Sequence, residues 1–150
     1  MKMARGQYDA VAARAELLVS GEEMELTLDR LAESIGSVLA DKDPLVLSVM
    51  NGAVIAVGRL LPRLRFPLRV DYVHATRYRG ATRGESLEWL HRPTEPVRGE
   101  HVLVVDDILD EGITLHNIVN ACLEDGAASV HCAVLVEKER TRACDFAADF

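Results

Sequence analysis

"VLVVDDILDEGITL" (Val102–Leu115) is the stretch on which the reading of this chain turns. Four apolar residues run into Asp106, Asp107, Asp110 and Glu111, so four carboxylates fall within six positions. Gly112, Ile113 and Thr114 then open a helical pattern. A short apolar run closed by a glycine turn and a helix predicts a buried strand followed by a helix N-terminus. Such a terminus exposes unpaired N–H groups and the positive end of the helix dipole, which suits an anion. The negative charges crowded onto it therefore need a reason.

A ligand that carries both phosphate and sugar hydroxyls supplies one. The backbone N–H groups from Asp110 to Thr114, with the Thr114 hydroxyl, can wrap a phosphate, and Gly112 lets the main chain approach closely. Asp106 and Asp107, one turn earlier, can accept hydrogen bonds from ribose hydroxyls. They can also hold a hydrated Mg²⁺, which binds through one or two carboxylates plus substrate oxygens. A single aspartate at a strand end reads as a solvated cap. Two adjacent aspartates, a third, and a Gly-x-Thr turn favour a ligand site.

The flanking sequence builds an α/β frame around this unit. Ser20 and Glu23 fit a capping box, and Met24, Leu28, Leu31, Ile35 and Val38 recur at helical spacing. "PLVLSVM" (Pro44–Met50) reads as a strand, followed by Asn51-Gly52 and a helix from Ala53 to Leu61 that stops near Pro62. Leu68, Val70, Tyr72 and His74 alternate as in a strand, and "ESLEWLH" (Glu85–His91) does so more weakly. Gly112 to Asp125 reads as a helix and "SVHCAVLVEK" (Ser129–Lys138) as a further apolar strand. Apolar strands alternating with helices predict a mostly parallel, twisted sheet covered by helices on both faces, with the middle pair of strands as an antiparallel hairpin. Ligands of open α/β sheets sit beyond the C-terminal strand ends, where Asn51-Gly52, Asp106 to Thr114 and Lys138 would meet.

Whole-chain properties narrow the function classes. The 150 residues suit one domain, and 49% apolar with 27% charged is ordinary for a globular protein. A net charge of -7 argues against nucleic acid, which needs a positive field. Cys122, Cys132 and Cys144 form no C-x-x-C pair and read as buried, reduced thiols. No run approaches the ~18 apolar residues of a membrane span, and Asp9, Arg14 and Glu16 interrupt any signal-peptide core at the N-terminus. A cytoplasmic protein that binds no membrane is expected. The five histidines lack metal-ligand spacing, and Trp89 reads as hairpin packing.

"VLVVDDILDEGITL" resembles the phosphoribosyl diphosphate signature of type I phosphoribosyltransferases. With "HATRYRG" and "LVEK", the chain from about Leu18 to Phe150 looks like the hypoxanthine-guanine branch. The resemblance implies purine salvage: transfer of 5-phosphoribose to N9 of hypoxanthine or guanine, giving IMP or GMP and pyrophosphate, with Mg²⁺ as cofactor. It implies that Asp106 and Asp107 serve the ribose hydroxyls and metal and that Asp110 is the general base near purine N7. Asp110, Glu111, Gly112, Ile113 and Thr114 then form the 5′-phosphate loop. Lys138 falls where the family reads the purine 6-oxo group, and Arg77-Tyr78 where a mobile loop closes over the site. Asn51-Gly52 falls at the pyrophosphate loop, often Lys-Gly or Arg-Gly in the family; here the basic residue is absent, and Arg77, Arg79 or Arg83 are candidates to replace its charge. The resemblance also implies a homo-oligomer, a dimer or tetramer.

Family members continue past the strand suggested by "DFAADF", adding an aromatic that stacks on the purine and another carboxylate near the metal. The sequence stops at Phe150, so the expectation is a single domain over residues 1–150 without that base-binding segment. Other readings stay open from the sequence: a regulatory domain that senses phosphoribosyl diphosphate, or a transferase for xanthine, adenine or a pyrimidine. A plain interaction domain fits the acidic turn least.

Overall fold

In a computed structural model of the chain, which describes residues 5–77, 87–139 and 144–150, two apolar strands form the centre. They are β1 (Leu45–Val49) and β4 (His101–Leu109). Every residue of β1 is buried, as are Val102 to Val105 of β4, because each strand is covered on both faces. β1 pairs in parallel with β2 (Arg69–Arg77) on one side and with β4 on the other. β4 pairs in parallel with β5 (Ser129–Glu137), while β3 (Leu87–His91) runs antiparallel to β2, giving the order β3-β2-β1-β4-β5. The mostly parallel sheet and its antiparallel hairpin follow the sequence pattern.

Helix α1 (Arg5–Ala12) buries no residue, whereas α2 (Gly21–Leu39) is firmly seated. Its capping box is formed: the Glu23 N–H donates to Ser20 Oγ at 3.2 Å, and the Ser20 N–H donates to Glu23 Oε2 at 2.7 Å. Leu28, Ala32, Ile35 and Leu39 are its buried stripe, with Met24, Leu31 and Val38 packed on the margin. Glu25 joins α2 to Arg59 of α3 (Val54–Leu60) and to Arg63 of the 3₁₀ turn that follows. β1 connects through α3 to β2 on its one side, and β4 through α4 (Ile113–Glu124) to β5 on the other. Right-handed crossovers running in opposite directions place α3 and α4 on opposite faces. The chain reverses its direction of growth between β1 and β4, so their C-terminal ends flank the sheet's switch point.

Three details depart from the sequence pattern. In β2, Val73 and Ala75 face the core while Val70 and Tyr72 are exposed, so the alternation marks a strand whose apolar-looking face points outward. Tyr72 instead stacks on His91 of β3 at 4.1 Å between ring centroids. β4 does not stop before the aspartates: Asp106, Ile108 and Leu109 pair with Val134, Val136 and Glu137 of β5. The segment "DFAADF" forms no strand of its own, yet the Val134 N–H donates to the Phe150 carbonyl and the Phe150 N–H to the Cys132 carbonyl, covering the edge of β5.

Candidate active site

A cavity of about 270 Å³ opens at the switch point. The end of β1 and its turn contribute Val49, Met50 and Gly52; β2 contributes Ala75; β4 and the start of α4 contribute Asp106 to Gly112, Thr114 and Leu115. Two of the three expected rim elements therefore line one cavity. The third, Lys138, reaches it through an ion pair: its Nζ lies 3.1 Å from Asp110 Oδ2, and its N–H donates to the Leu109 carbonyl at 3.0 Å.

The β4–α4 turn owes its shape to Gly112, whose φ of 86° is left-handed and strains any residue with a Cβ. No side chain caps α4, so its first-turn N–H groups face outward for a ligand. Behind the turn, a Cβ on Gly112 would stand 3.3 Å from Cys144 Sγ and 3.5 Å from Phe146 Cβ. Cys144, expected to be buried, is only half-buried, because it packs against this turn at the surface; Cys122 and Cys132 are buried, and all three are free thiols. Burial pushes the Cys122 thiol up to about 11 and that of Cys132 to about 12.

Asp106 and Asp107 both line the cavity, with their carboxyl groups close enough to interact. The Asp107 N–H donates to Asp106 Oδ1 at 2.8 Å. Burial, and secondarily the neighbouring Asp107, push the Asp106 carboxyl up to about 7. Asp107 turns toward the β1–α3 turn and lies so close that a Cβ on Gly52 would come within 2.8 Å of its Oδ1. Backbone hydrogen bonds hold that turn: the Met50 N–H donates to the Val73 carbonyl at 2.8 Å, and the Ala53 N–H donates to the Val49 carbonyl. Asn51 and Gly52 are themselves exposed.

Arg77 ends β2, and Tyr78, Arg79 and Arg83 lie outside the described residues. Among the described residues no group of three or more His, Cys, Asp or Glu side chains is arranged to hold a metal ion by itself. Trp89 packs in the hairpin opposite Ala75 with the Arg92 guanidinium 4.8 Å above its ring. Sequence reasoning missed Ala75 as a wall of the cavity, and Cys144 and Phe146 as the backing of the Gly112 turn. The β2 alternation puts Ala75 on one face without saying which face is covered, so the fold alone brings all three into place.

The chain is similar to known proteins. The chain is 28% identical over 136 residues to the hypoxanthine-guanine phosphoribosyltransferase of Streptococcus pneumoniae, covering 90% of this chain and 76% of that one. It is 29% identical over 123 residues to the hypoxanthine-guanine-xanthine phosphoribosyltransferase of Tritrichomonas foetus, covering 82% and 67%. A hypoxanthine phosphoribosyltransferase structure from Staphylococcus aureus superposes with a TM-score of 0.84 at 20% identity, covering 90% of this chain and 74% of the other, which establishes the shared fold. Residues 15–147, nearly the whole chain, match the phosphoribosyl transferase domain, and the protein belongs to that family.

Proposed function

We propose that the protein is a purine-salvage enzyme that transfers 5-phosphoribose from phosphoribosyl diphosphate to N9 of hypoxanthine or guanine, releasing pyrophosphate and IMP or GMP. The observation that carries this reading is the Asp110–Lys138 pair at the mouth of the cavity. Purine N7 and O6 are neighbouring atoms on one edge of the base. A carboxylate meant for the N7 side and an ammonium meant for O6 must therefore lie next to each other, as these two do.

In this reading the first-turn N–H groups of α4 and the Thr114 hydroxyl hold the 5′-phosphate, within a loop formed by Asp110, Glu111, Gly112, Ile113 and Thr114. Asp106 and Asp107 take the ribose hydroxyls. The two carboxylates fit Mg²⁺ by their chemistry, since the ion uses few protein ligands and completes its shell with water and substrate oxygens. Bound there, it would neutralise charge on the diphosphate. Asn51 and Gly52 receive the diphosphate. As the N9–C1′ bond forms and the bond from C1′ to the diphosphate oxygen breaks, positive charge grows on the sugar, and the acidic cavity stabilises it. Asp110 accepts the proton that the base gives up. Arg77-Tyr78 begins the loop that closes and excludes water.

Lys138 selects for a 6-oxo group because its ammonium donates and never accepts. Its exposed side chain keeps water as a partner when no acceptor arrives, which puts discrimination against adenine near the low end of the ~1–3 kcal/mol for an unmatched donor. The exposed Val54 and Ile55 of α3 support a homo-oligomer, and no helix among the described residues is long and apolar enough to cross a membrane, in keeping with a cytoplasmic enzyme.

Incubation with phosphoribosyl diphosphate, Mg²⁺ and each of hypoxanthine, guanine, xanthine and adenine tests the proposal. Nucleotide from hypoxanthine and guanine, and far less from adenine, is expected. Tight phosphoribosyl diphosphate binding with no nucleotide from any base would mark a sensing domain instead.

A further inference from the structure

The β4–α4 turn is contacted from two sides. Its front, at Glu111, Gly112 and Thr114, borders the cavity, and its back rests on residues 144–146. The Cys144 thiol donates to the Glu111 carbonyl at 3.8 Å, and a Cβ on Gly112 would meet Cys144 Sγ at 3.3 Å and Phe146 Cβ at 3.5 Å. The Phe146 N–H donates to the Cys144 carbonyl at 3.0 Å, closing a bend behind the glycine. The Phe146 ring then meets His116 edge to face, with centroids 5.9 Å apart and planes at 72°. His116 lies in the first turn of α4, and its N–H donates to the Gly112 carbonyl at 2.9 Å. Phe146 therefore grips both the glycine and the helix turn that it starts. Downstream the same segment is anchored on β5: the Cys132 N–H donates to Asp149 Oδ2 and the Asp149 N–H to the Cys132 carbonyl, both at 2.8 Å. Phe146, Ala148 and Phe150 pack against the core.

A turn built on a left-handed glycine needs such a support, because glycine has the widest backbone freedom of any residue. Backbone N–H groups serve a ligand well only when they are held to within about 0.5 Å of their working positions. We infer that Phe146 is a positioning residue for the phosphate site: seated with Cys144 behind Gly112 and against His116, it keeps the first-turn N–H groups of α4 in their phosphate-binding arrangement. Phe146 does not line the cavity, so it acts through the turn. The inference rests on the reading of the β4–α4 turn as the 5′-phosphate site. Support and occupancy are then linked, since a phosphate that fixes the turn in front also fixes the segment behind it. Cys144 reports on that link, being half-buried while the other two thiols, Cys122 and Cys132, are buried.

Calorimetric titration of the full chain with ribose 5-phosphate, and with magnesium pyrophosphate as a ligand that lacks the sugar phosphate, tests it. Phe146→Ala should weaken ribose 5-phosphate binding by roughly ten-fold or more and leave pyrophosphate binding within about two-fold. Phe146→Leu, which restores most of the lost volume, should recover most of the affinity. In the wild type, saturating ribose 5-phosphate should slow alkylation of Cys144 by iodoacetamide, read from peptide masses, by about five-fold or more. That measurement needs no variant, and it decides the matter if melting shows that Phe146→Ala fails to fold. Ribose 5-phosphate binding to a folded Phe146→Ala as tight as to wild type, or Cys144 alkylation at the same rate with and without the ligand, would overturn the inference. An equal loss of both ligands would also overturn it, because packing alone would then explain the effect. If the wild type binds no ribose 5-phosphate, the phosphate reading of the β4–α4 turn fails and the inference falls with it.

Discussion

The β1–α3 and β4–α4 turns are built alike and behave differently. Each leaves a buried parallel strand, passes a glycine and enters a helix at the same switch point. Gly112 is required by its own backbone, whose φ of 86° no side chain adopts comfortably. Gly52 has no such conformation; it is required by a neighbour, the Asp107 carboxylate. One glycine shapes its turn, and the other keeps space for a functional group on a different strand. The turns also divide charge, with all four cavity carboxylates on the β4–α4 side and none at Met50 to Ala53. Acidic residues are concentrated at one turn, while Met50 to Ala53 at the other are neutral.

The sharpest break would come from the acidic turn. Asp110→Asn should lower turnover by ~10²–10⁴-fold while phosphoribosyl diphosphate still binds, since a proton acceptor is lost but the phosphate contacts are kept. Equal turnover would remove Asp110 from catalysis. Lys138→Ala should erase roughly five- to ten-fold of the preference for hypoxanthine over adenine, read from kcat/KM for each base. An unchanged ratio would assign base selection elsewhere.

The two glycines can be compared directly with one substitution. Gly52→Ala should displace Asp107 and weaken magnesium phosphoribosyl diphosphate binding by roughly ten-fold, with little change in melting temperature, because a short side chain can yield without unfolding the turn. Gly112→Ala should do the reverse in kind. Left-handed strain of about 1–2 kcal/mol lowers Tm by roughly 2–8 °C, measured by thermal denaturation. Equal melting of both variants would show that the distinction between a backbone glycine and a space-keeping glycine is false.

The smallest effect concerns Asp106, whose carboxyl is pushed up to about 7 by burial and then by Asp107. A carboxyl raised on folding binds its proton more tightly in the folded state. Its ionisation therefore costs stability progressively as pH rises from its ordinary value of 3.8 through about 7. Asp106→Asn should accordingly melt higher than wild type at pH 8 in metal-free buffer, with the advantage shrinking toward pH 4. A constant difference across that range would mean that the shift is absent.

Legibility followed the range of the interactions. The capping box of Ser20 and Glu23, the buried strands β1 and β4, and the glycine before α4 could be read directly, because each is set by residues a few positions apart. β2 could be read as a strand but not for its facing. Val70 and Tyr72 look like the buried set, yet Val73 and Ala75 face the core. A two-residue period identifies two faces without saying which one another element will cover. The three cysteines looked alike in sequence, and only the docking of residues 144–150 behind Gly112 separated Cys144 from the two buried thiols.

By itself, then, the sequence determined the element types, the acidic turn and the residue kinds at the strand ends, since propensity, capping and hydrophobic period are local. Tertiary structure alone decided that Asp107 crowds Gly52, that Lys138 meets Asp110, and that Ala75 walls the cavity. Those pairings join residues on different strands, and their distances depend on strand order and register, which no local pattern encodes.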